Sequence, residues 1–386
     1  MSSDTSPTLL KDCFAGRRVW LSGHTGFKGS WLAHWLLDLG AEVHGFSLPP
    51  PTTPAMFDQI GLAQRLRHEV ADLRDAAVVK KSIRDAQPDF VFHLAAQAIV
   101  RTSFDQPLET YMTNVVGTLH VMEALRELEK PCAAVLVTTD KCYENREWLH
   151  GYREEDMLGG YDPYSSSKAA IEIAVASWRR SFFSEHPVRV ATARAGNVIG
   201  GGDWAKGRIM PNCIRALQQA KPIRVRNKVA TRPWQFVLEP LSGYLWLAAV
   251  LSQPSLRPYD KSAFTGAFNF GPGLESNRTV AELVATALRH WPGAWEDQGD
   301  PNAVHEAKLL NVSTDKAYHL LGWKPVWGFP KAVEATVGWY RRADEVGERA
   351  GTVAQLAEYT SRQIATYQSD AAVAGLPWAA FCIWHG

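Results

Sequence analysis

The chain has 386 residues, 46% of them hydrophobic, with 41 basic and 40 acidic side chains and a net charge of +1. That length allows one large domain or two ordinary ones with a sizeable core, and the balanced charge argues against a general nucleic-acid binder, which needs a basic surface for phosphate. No apolar run of about 18 residues occurs, and the scattered Cys13, Cys132, Cys142, Cys213 and Cys382 suit neither metal ligation nor a disulfide framework, so no membrane span, no metal and a reduced, cytoplasmic compartment are expected.

The opening MSSDTSPTLLKDCF lacks a basic start ahead of an apolar stretch and does not read as a secretory leader. Strand and helix patterns then alternate. Strands are predicted at 18–22, 42–48, 67–72, 89–94, 133–139 and 188–195, and helices at 29–39, 75–86, 108–128 and 161–183. Such alternation means βαβ units with right-handed crossovers. The expected fold is α/β, a doubly wound parallel sheet with ligands outside the C-terminal strand ends. Residues 1–197 are expected to form this dinucleotide-binding domain. Beyond 197 the pattern is broken by Gly200 to Gly202 and by Pro211, Pro222, Pro233, Pro240, Pro254 and Pro258. A smaller, interleaved substrate lobe over 198–386 is expected, with residues 236–252, including a helix at 238–251, returning to the first domain. The tail from Ala343 keeps helical periodicity to Tyr367.

GHTGFKG, Gly23 to Gly29, follows the first strand and opens the first long helix. Gly23 makes the tight turn, Gly26 lets backbone approach a pyrophosphate, and Gly29 packs helix against strand, while the helix N-terminus offers free N–H groups to the anion. Thr25 and Phe27 lie within the loop. At the end of the second strand, Gly45 to Leu48, neither the acid that holds a ribose hydroxyl nor the arginine that suits a 2′-phosphate is present. The missing arginine favours NAD, and Ser47 or backbone is left to contact the ribose. Asp72 and Leu73 are placed to meet the adenine; the alternative for Asp72 is a helix N-cap.

Tyr164 and Lys168 stand four apart, hence on one helix face. A phenol near pKa ~10 is a poor base, and lowering it by about three units takes about 4 kcal/mol, which a nearby ammonium and the positive nicotinamide are expected to supply. Thr139, Asp140 and Lys141 follow the fifth strand. Thr139 is read as a partner of the hydroxyl that Tyr164 deprotonates. Once a sugar is oxidised at C4 its C5 proton is acidic, so Lys141 is the candidate base and Asp140 the candidate acid at the C6 hydroxyl. These roles require a proton moved from Lys141 to Asp140, a state favoured when water is excluded, because burial disfavours both charges.

The motifs GHTGFKG, HLAAQ (His93 to Gln97), TTDKCY (Thr138 to Tyr143), YSSSK (Tyr164 to Lys168), ARAGNVIGGGDW (Ala193 to Trp204) and RPWQFVLEPLSGYLWLA (Arg232 to Ala248) resemble those of the extended short-chain dehydrogenases/reductases, and among them the nucleotide-sugar 4,6-dehydratases. The likeness spans about residues 18–250 and, more loosely, reaches 340. Lys141, in place of a glutamate, together with GGGDWA and RPWQ, is similar to the branch that takes CDP-glucose. This resemblance implies a Rossmann sheet, recycled NAD, a CDP-4-keto-6-deoxyglucose product used for surface polysaccharide such as lipopolysaccharide, and a homodimer built as a four-helix bundle from the helices around 108–128 and 161–183. It further implies cofactor contacts at Ala95 and Ala96, a diphosphate contact at Asn197 and a phosphate-binding Arg232. Gln97 is a candidate sugar contact and Arg208 a candidate near the nucleotide; His93 is expected to be packed rather than catalytic. Two rivals stay open. A nucleotide-sugar 4-epimerase would use Tyr164, Lys168 and Thr139 without the Asp-Lys pair. A non-catalytic sensor of NAD would need neither Tyr164 nor Lys168.

Overall fold

A computed structural model describes residues 8–299, 309–347 and 351–380. Cys382 lies outside them, as does the start of the opening segment. Seven strands form one parallel sheet: β1 (Arg18–Ser22), β2 (Glu42–Ser47), β3 (Arg67–Val70), β4 (Phe90–His93), β5 (Cys132–Val137), β6 (Val188–Ala195) and β7 (Ala267–Phe270), in the spatial order β7-β6-β5-β4-β1-β2-β3. The order reverses beside β1, which leaves a crevice at the C-terminal ends of β1 and β4. β1 and β4 register Ser22 against His93 there. β5, CAAVLV, is buried at every position because helices cover both faces, so its side chains do not alternate in polarity.

The helices on the two faces are α1 (Leu9–Phe14), α2 (Phe27–Asp38), α3 (Ala76–Ala86), a composite α4, α5 (Pro163–Phe182), α6 (Ile209–Gln218), α7 (Leu238–Ser252), α8 (Val280–His290), α9 (Phe329–Val346) and α10 (Thr352–Val373). α4 is the helix expected at 108–128, with a difference. Pro107–Tyr111 and Gly117–Arg126 are α-helical, and Met112–Val116 between them is a π-turn. The wider turn carries Asn114, whose amide donates to Ser167 Oγ at 2.9 Å and to the Gln97 carbonyl at 3.1 Å. A sequence period has no signal for one such inserted residue.

Local chemistry sets the helix starts. Asp75 caps α3, accepting from the N–H groups of Ala77 and Val78 at 3.0 and 3.1 Å. The capping alternative considered for Asp72 is thereby excluded. Asp162 caps α5 through Ser165 N–H at 2.9 Å, with Pro163 as the first helical residue, where its missing N–H costs nothing. Thr279 and Glu282 form a capping box at α8.

Two apolar layers flank the sheet. Trp20, Phe46, Val91 and Leu136 pack with Val121, Leu125, Ile171 and Val175 of α4 and α5. Val19, Leu21, Phe92 and Val135 pack on the other side with Trp31, Trp35, Leu241 and Trp246 of α2 and α7. α7 is buried from Leu238 to Leu251, which explains its nearly unbroken apolar sequence. β7 comes from the irregular second half of the chain and pairs with β6. α10 lies against α2 and α9, and the Gly375 to Trp378 segment folds back so that Trp378 stacks on Tyr367 at 5.7 Å.

Candidate active site

The glycine loop is shaped by contacts that exclude side chains. Gly23 has φ +76°, and a Cβ there would lie 2.7 Å from Ala95 N. A Cβ on Gly29 would overlap the Gly23 carbonyl, whereas one on Gly26 would touch only that carbonyl, at 3.4 Å. The first and third glycines therefore fasten β1, β4 and α2 together, and the second leaves a floor open to a ligand. α2 begins at Phe27, so Phe27, Lys28 and Gly29 form its first turn, whose N–H groups lack intrahelical partners. A diphosphate fits such a cradle by charge and by shape.

The ribose end is differently built. Thr25 donates to the Leu48 carbonyl at 3.0 Å and lies 2.8 Å from Ser47 Oγ, so the two hydroxyls stand side by side at the end of β2. Gly45 leaves room for the ring of His24, which is 2.7 Å from His68. Asp72 is gripped by Arg74 at 2.6 Å, and Arg74 also reaches Glu109. Leu73 packs in the layer of α3 and α4, and its carbonyl accepts from His120 at 2.8 Å. Ala95 and Ala96 are half-buried where the chain leaves β4.

His93 is bonded on both ring nitrogens, to Ser22 Oγ at 2.7 Å and Thr118 Oγ at 2.9 Å. Burial pushes its pKa down to about 3, so it is a neutral packing residue. Gln97 is also fully engaged. Its amide donates to Thr110 Oγ at 3.0 Å and accepts from Ile99 N–H at 2.7 Å.

The groups predicted to do chemistry converge past the end of β5. Asp140 is buried, and its Oδ1 accepts from the Thr139 hydroxyl at 3.1 Å and from Lys141 Nζ at 3.2 Å. Lys141 Nζ also reaches Asn197 Oδ1 at 3.4 Å. Gly196 is required beside them, because a Cβ there would collide with Asp140 Oδ2. Tyr164 is buried and hydrogen-bonded to Thr139. Lys168 is buried, its ammonium donating to the Val137 carbonyl at 3.3 Å. Arg208 pairs with Asp203 at 3.0 Å and lies close enough to Tyr164 to influence it electrostatically. Arg232 is farther along, in a short antiparallel pair of 231–233 with 277–279, donating to the Thr231 carbonyl at 2.8 Å.

The electrostatics correct one expectation. Burial holds the Tyr164 phenol above its ordinary value rather than below it. Among the groups that pull it down are Lys141, the Thr139 hydroxyl and Arg208. Lys168 is itself pushed down to about 8 by burial.

Sequence reading missed two residues. Lys28, between Phe27 and Gly29, places its ammonium 3.4 Å from the Tyr244 hydroxyl and makes no ion pair among the described residues. Burial, then Arg208, push it down to about 7. A charge inside a glycine loop was its only signal. Glu172 lies four residues beyond Lys168, in the same helical stripe as Tyr164 and Lys168, and is buried with Arg194.

A dinucleotide-shaped crevice, a tyrosine–lysine pair and an added carboxylate–ammonium pair together define an alcohol-oxidising Rossmann enzyme equipped for a second, acid–base step. A family model described as GDP-mannose 4,6 dehydratase matches residues 21–336. The chain is 43% identical to CDP-glucose 4,6-dehydratase of Salmonella typhimurium over 339 residues, 86% of this chain and 92% of that protein. Among solved structures, dTDP-glucose 4,6-dehydratase from Streptomyces venezuelae with NAD and TYD bound superposes with a TM-score of 0.71 at 22% identity, covering 86% of this chain and 99% of the other. UDP-glucose 4-epimerase of Thermus thermophilus in complex with NAD gives 0.68 at 22% identity, covering 84% and 99%. The chain belongs to the nucleotide-sugar 4,6-dehydratase family.

Proposed function

We propose that the protein is a CDP-D-glucose 4,6-dehydratase that works with bound NAD in the cytoplasm. The observation that carries this reading is the Lys141–Asp140 pair at 3.2 Å, its carboxylate buried beside the Thr139–Tyr164 hydrogen bond. The relative that is 43% identical supports the choice of nucleotide. When bound, NAD would supply a hydride acceptor for C4 and a hydride donor for C6. Gly23, Gly26 and Gly29, with the first turn of α2, would hold its diphosphate. Thr25 and Ser47 would meet the ribose, and Asp72, Leu73, Ala95 and Ala96 would border the adenine side.

Tyr164 takes the C4 hydroxyl proton, with Thr139 orienting that oxygen. Lys141 and Arg208 favour the phenolate, and a bound nicotinamide cation acts in the same direction. Lys141, the more exposed of the Asp-Lys pair, then takes the C5 proton, and Asp140 protonates the departing C6 oxygen. Asn197, Arg208 and Arg232 would bind the substrate's phosphates, an arginine doing so through paired charge-assisted hydrogen bonds, and Gln97 would be a sugar contact. α4 and α5 expose Leu108, Tyr111, Met112, Ile173 and Phe182, an apolar surface suited to a homodimeric four-helix contact.

The test is incubation of the purified protein with NAD and CDP-, dTDP-, UDP- and GDP-glucose, with products identified by mass and NMR. CDP-glucose is expected to lose one water without net NADH. A galactose-configured isomer would identify an epimerase, and stoichiometric NADH a simple dehydrogenase.

A further inference from the structure

Tyr164, Lys168 and Glu172 are spaced by four, so they form one stripe along α5. The third member is buried, at 3% exposure, and surrounded by donors. Glu172 Oε1 accepts from the Thr138 hydroxyl. Its Oε2 accepts from Thr192 Oγ at 2.7 Å and from Arg194 Nη2 at 2.9 Å. Arg194 continues inward, donating to the Tyr143 hydroxyl at 2.7 Å and the Glu154 carbonyl at 3.0 Å. Tyr143 then donates to Asn269 Oδ1 at 2.7 Å. One carboxylate thus ties α5 to the end of β5, which bears Thr139, and to β6.

We propose that Glu172 is a positioning residue of the active site: its carboxylate, one helical turn behind Lys168, holds that ammonium charged and fixes the Thr138–Thr139 strand end against the catalytic helix. The proposal concerns how the chemistry assigned above is supported, and so rests on that reading. Glu172 does not reach the reacting atoms; it acts through Lys168 and Thr138.

The surroundings of Lys168 leave little else for this task. From β4 comes His93, which is neutral. From α2 comes Lys28, whose charge opposes that of Lys168. Past β5 come Cys142, Asp140 and Lys141, the last two already paired with each other. On α5 itself stand Tyr164 and Glu172. Arg194 of β6 lies behind Glu172, and burial of Lys168 is opposed first by the Glu172 charge. Arg194, with the two threonine hydroxyls, holds Glu172 below its ordinary pKa despite burial, so the carboxylate is available as a charge.

The test compares Glu172→Gln, Glu172→Asp and the double variant Glu172→Met/Arg194→Met. The double variant removes both buried charges together, a change that such sites often tolerate, so it guards against simple misfolding. The first readout is the NMR titration of Lys168 in protein labelled with 13C at lysine Cε, assigned with Lys168→Arg and recorded without substrate. Loss of a facing carboxylate should move the Lys168 midpoint to lower pH by about one unit in Glu172→Gln and by less in the double variant, where loss of the Arg194 cation offsets part of the effect, with Asp close to the parent. The second readout is kcat/KM for CDP-glucose against pH, whose alkaline limb should move the same way. A Lys168 midpoint unchanged in folded Glu172→Gln or in the double variant overturns the proposal. Failure of the parent to dehydrate CDP-glucose would instead overturn the functional reading and leave the NMR result standing.

Discussion

The active-site rim and the C-terminal clasp are both rich in buried polar groups, and they treat them in opposite ways. At the rim, Lys28, Lys141, Lys168 and Arg208 gather around the buried carboxylates of Asp140 and Asp203, and Lys168 has a carbonyl partner at 3.3 Å. In the clasp, α10 closes over α2 and α7 around Trp35, Trp327, Tyr367 and Trp378. There Glu239 accepts from the N–H groups of Val326 and Trp327 at 2.9 and 2.6 Å and from the Tyr367 hydroxyl at 2.8 Å, and no cation is involved. Ser242 accepts from Trp323 Nε1 at 2.9 Å and donates to the Glu239 carbonyl at 2.7 Å. The contrast teaches where function lies in this molecule. The clasp holds its buried carboxylate with neutral donors alone; the rim holds an excess of positive charge that a diphosphate substrate would complete.

Substitutions at the two regions should therefore separate activity from stability. The largest effect is expected for Tyr164→Phe, which removes the phenol placed beside Thr139 to take the C4 proton. C4 oxidation should fall by at least about 10²- to 10⁴-fold in stopped-flow nicotinamide absorbance, with the urea midpoint nearly unchanged. Next comes Trp378→Ala in the clasp. Deleting a fully buried indole that stacks on Tyr367 should lower unfolding free energy by about 3–5 kcal/mol in urea titrations, while turnover per folded molecule holds. Equal losses of turnover at both positions would dissolve the contrast.

A smaller effect sharpens it. Without a cationic partner, burial raises Glu239 to about 7, above the ordinary carboxyl value. The folded state therefore keeps a proton that the unfolded state has released between about pH 4.5 and 7. The stabilisation is fully present below that window and is lost as pH rises through it, by up to about 1.4 kcal/mol per pH unit. The parent-minus-variant difference with Glu239→Gln isolates this slope from the buried histidines, which act in the opposite sense, and a flat difference would contradict it. The smallest effect is expected at Asp75→Ala, the cap of α3, at about 1 kcal/mol in urea with activity intact. Asp72→Ala, which loses a partly exposed pair with Arg74 and a bond from the Arg74 N–H, should cost less.

Much of the sheet was legible because its signals are local. β1 and β6 occupy the residues that alternation and turn residues marked, 18–22 and 188–195. The loop glycines were legible for a similar reason, since their spacing reflects contacts within one βα turn. What escaped depends on distant partners. β7 is four residues, AFNF, set among glycines and prolines, and only pairing with β6 makes it a strand. The π-turn of α4 adds one residue where Asn114 must span to Gln97 and Ser167. Glu172 reads as an ordinary surface position until β6 brings Arg194 beneath it, and Lys28 as solvent-facing until Tyr244 of α7 closes over the loop. The direction of the Tyr164 shift was likewise out of reach, because the dominant cause, burial, is a property of the folded cleft.

The central claim is that the rim runs two separable steps, oxidation by Tyr164 and elimination by the Lys141–Asp140 pair. Lys141→Ala tests it most directly, in a single turnover with NAD and CDP-glucose in deuterated solvent. Oxidation at C4 should survive although Lys141 helps to lower the Tyr164 phenol, so reduced nicotinamide and 4-keto-glucose should accumulate on the enzyme. Exchange of the C5 proton should slow by about 10²- to 10⁴-fold relative to the parent. A variant that exchanges C5 at the parent rate but no longer oxidises C4 would place Lys141 in the first step and contradict the account.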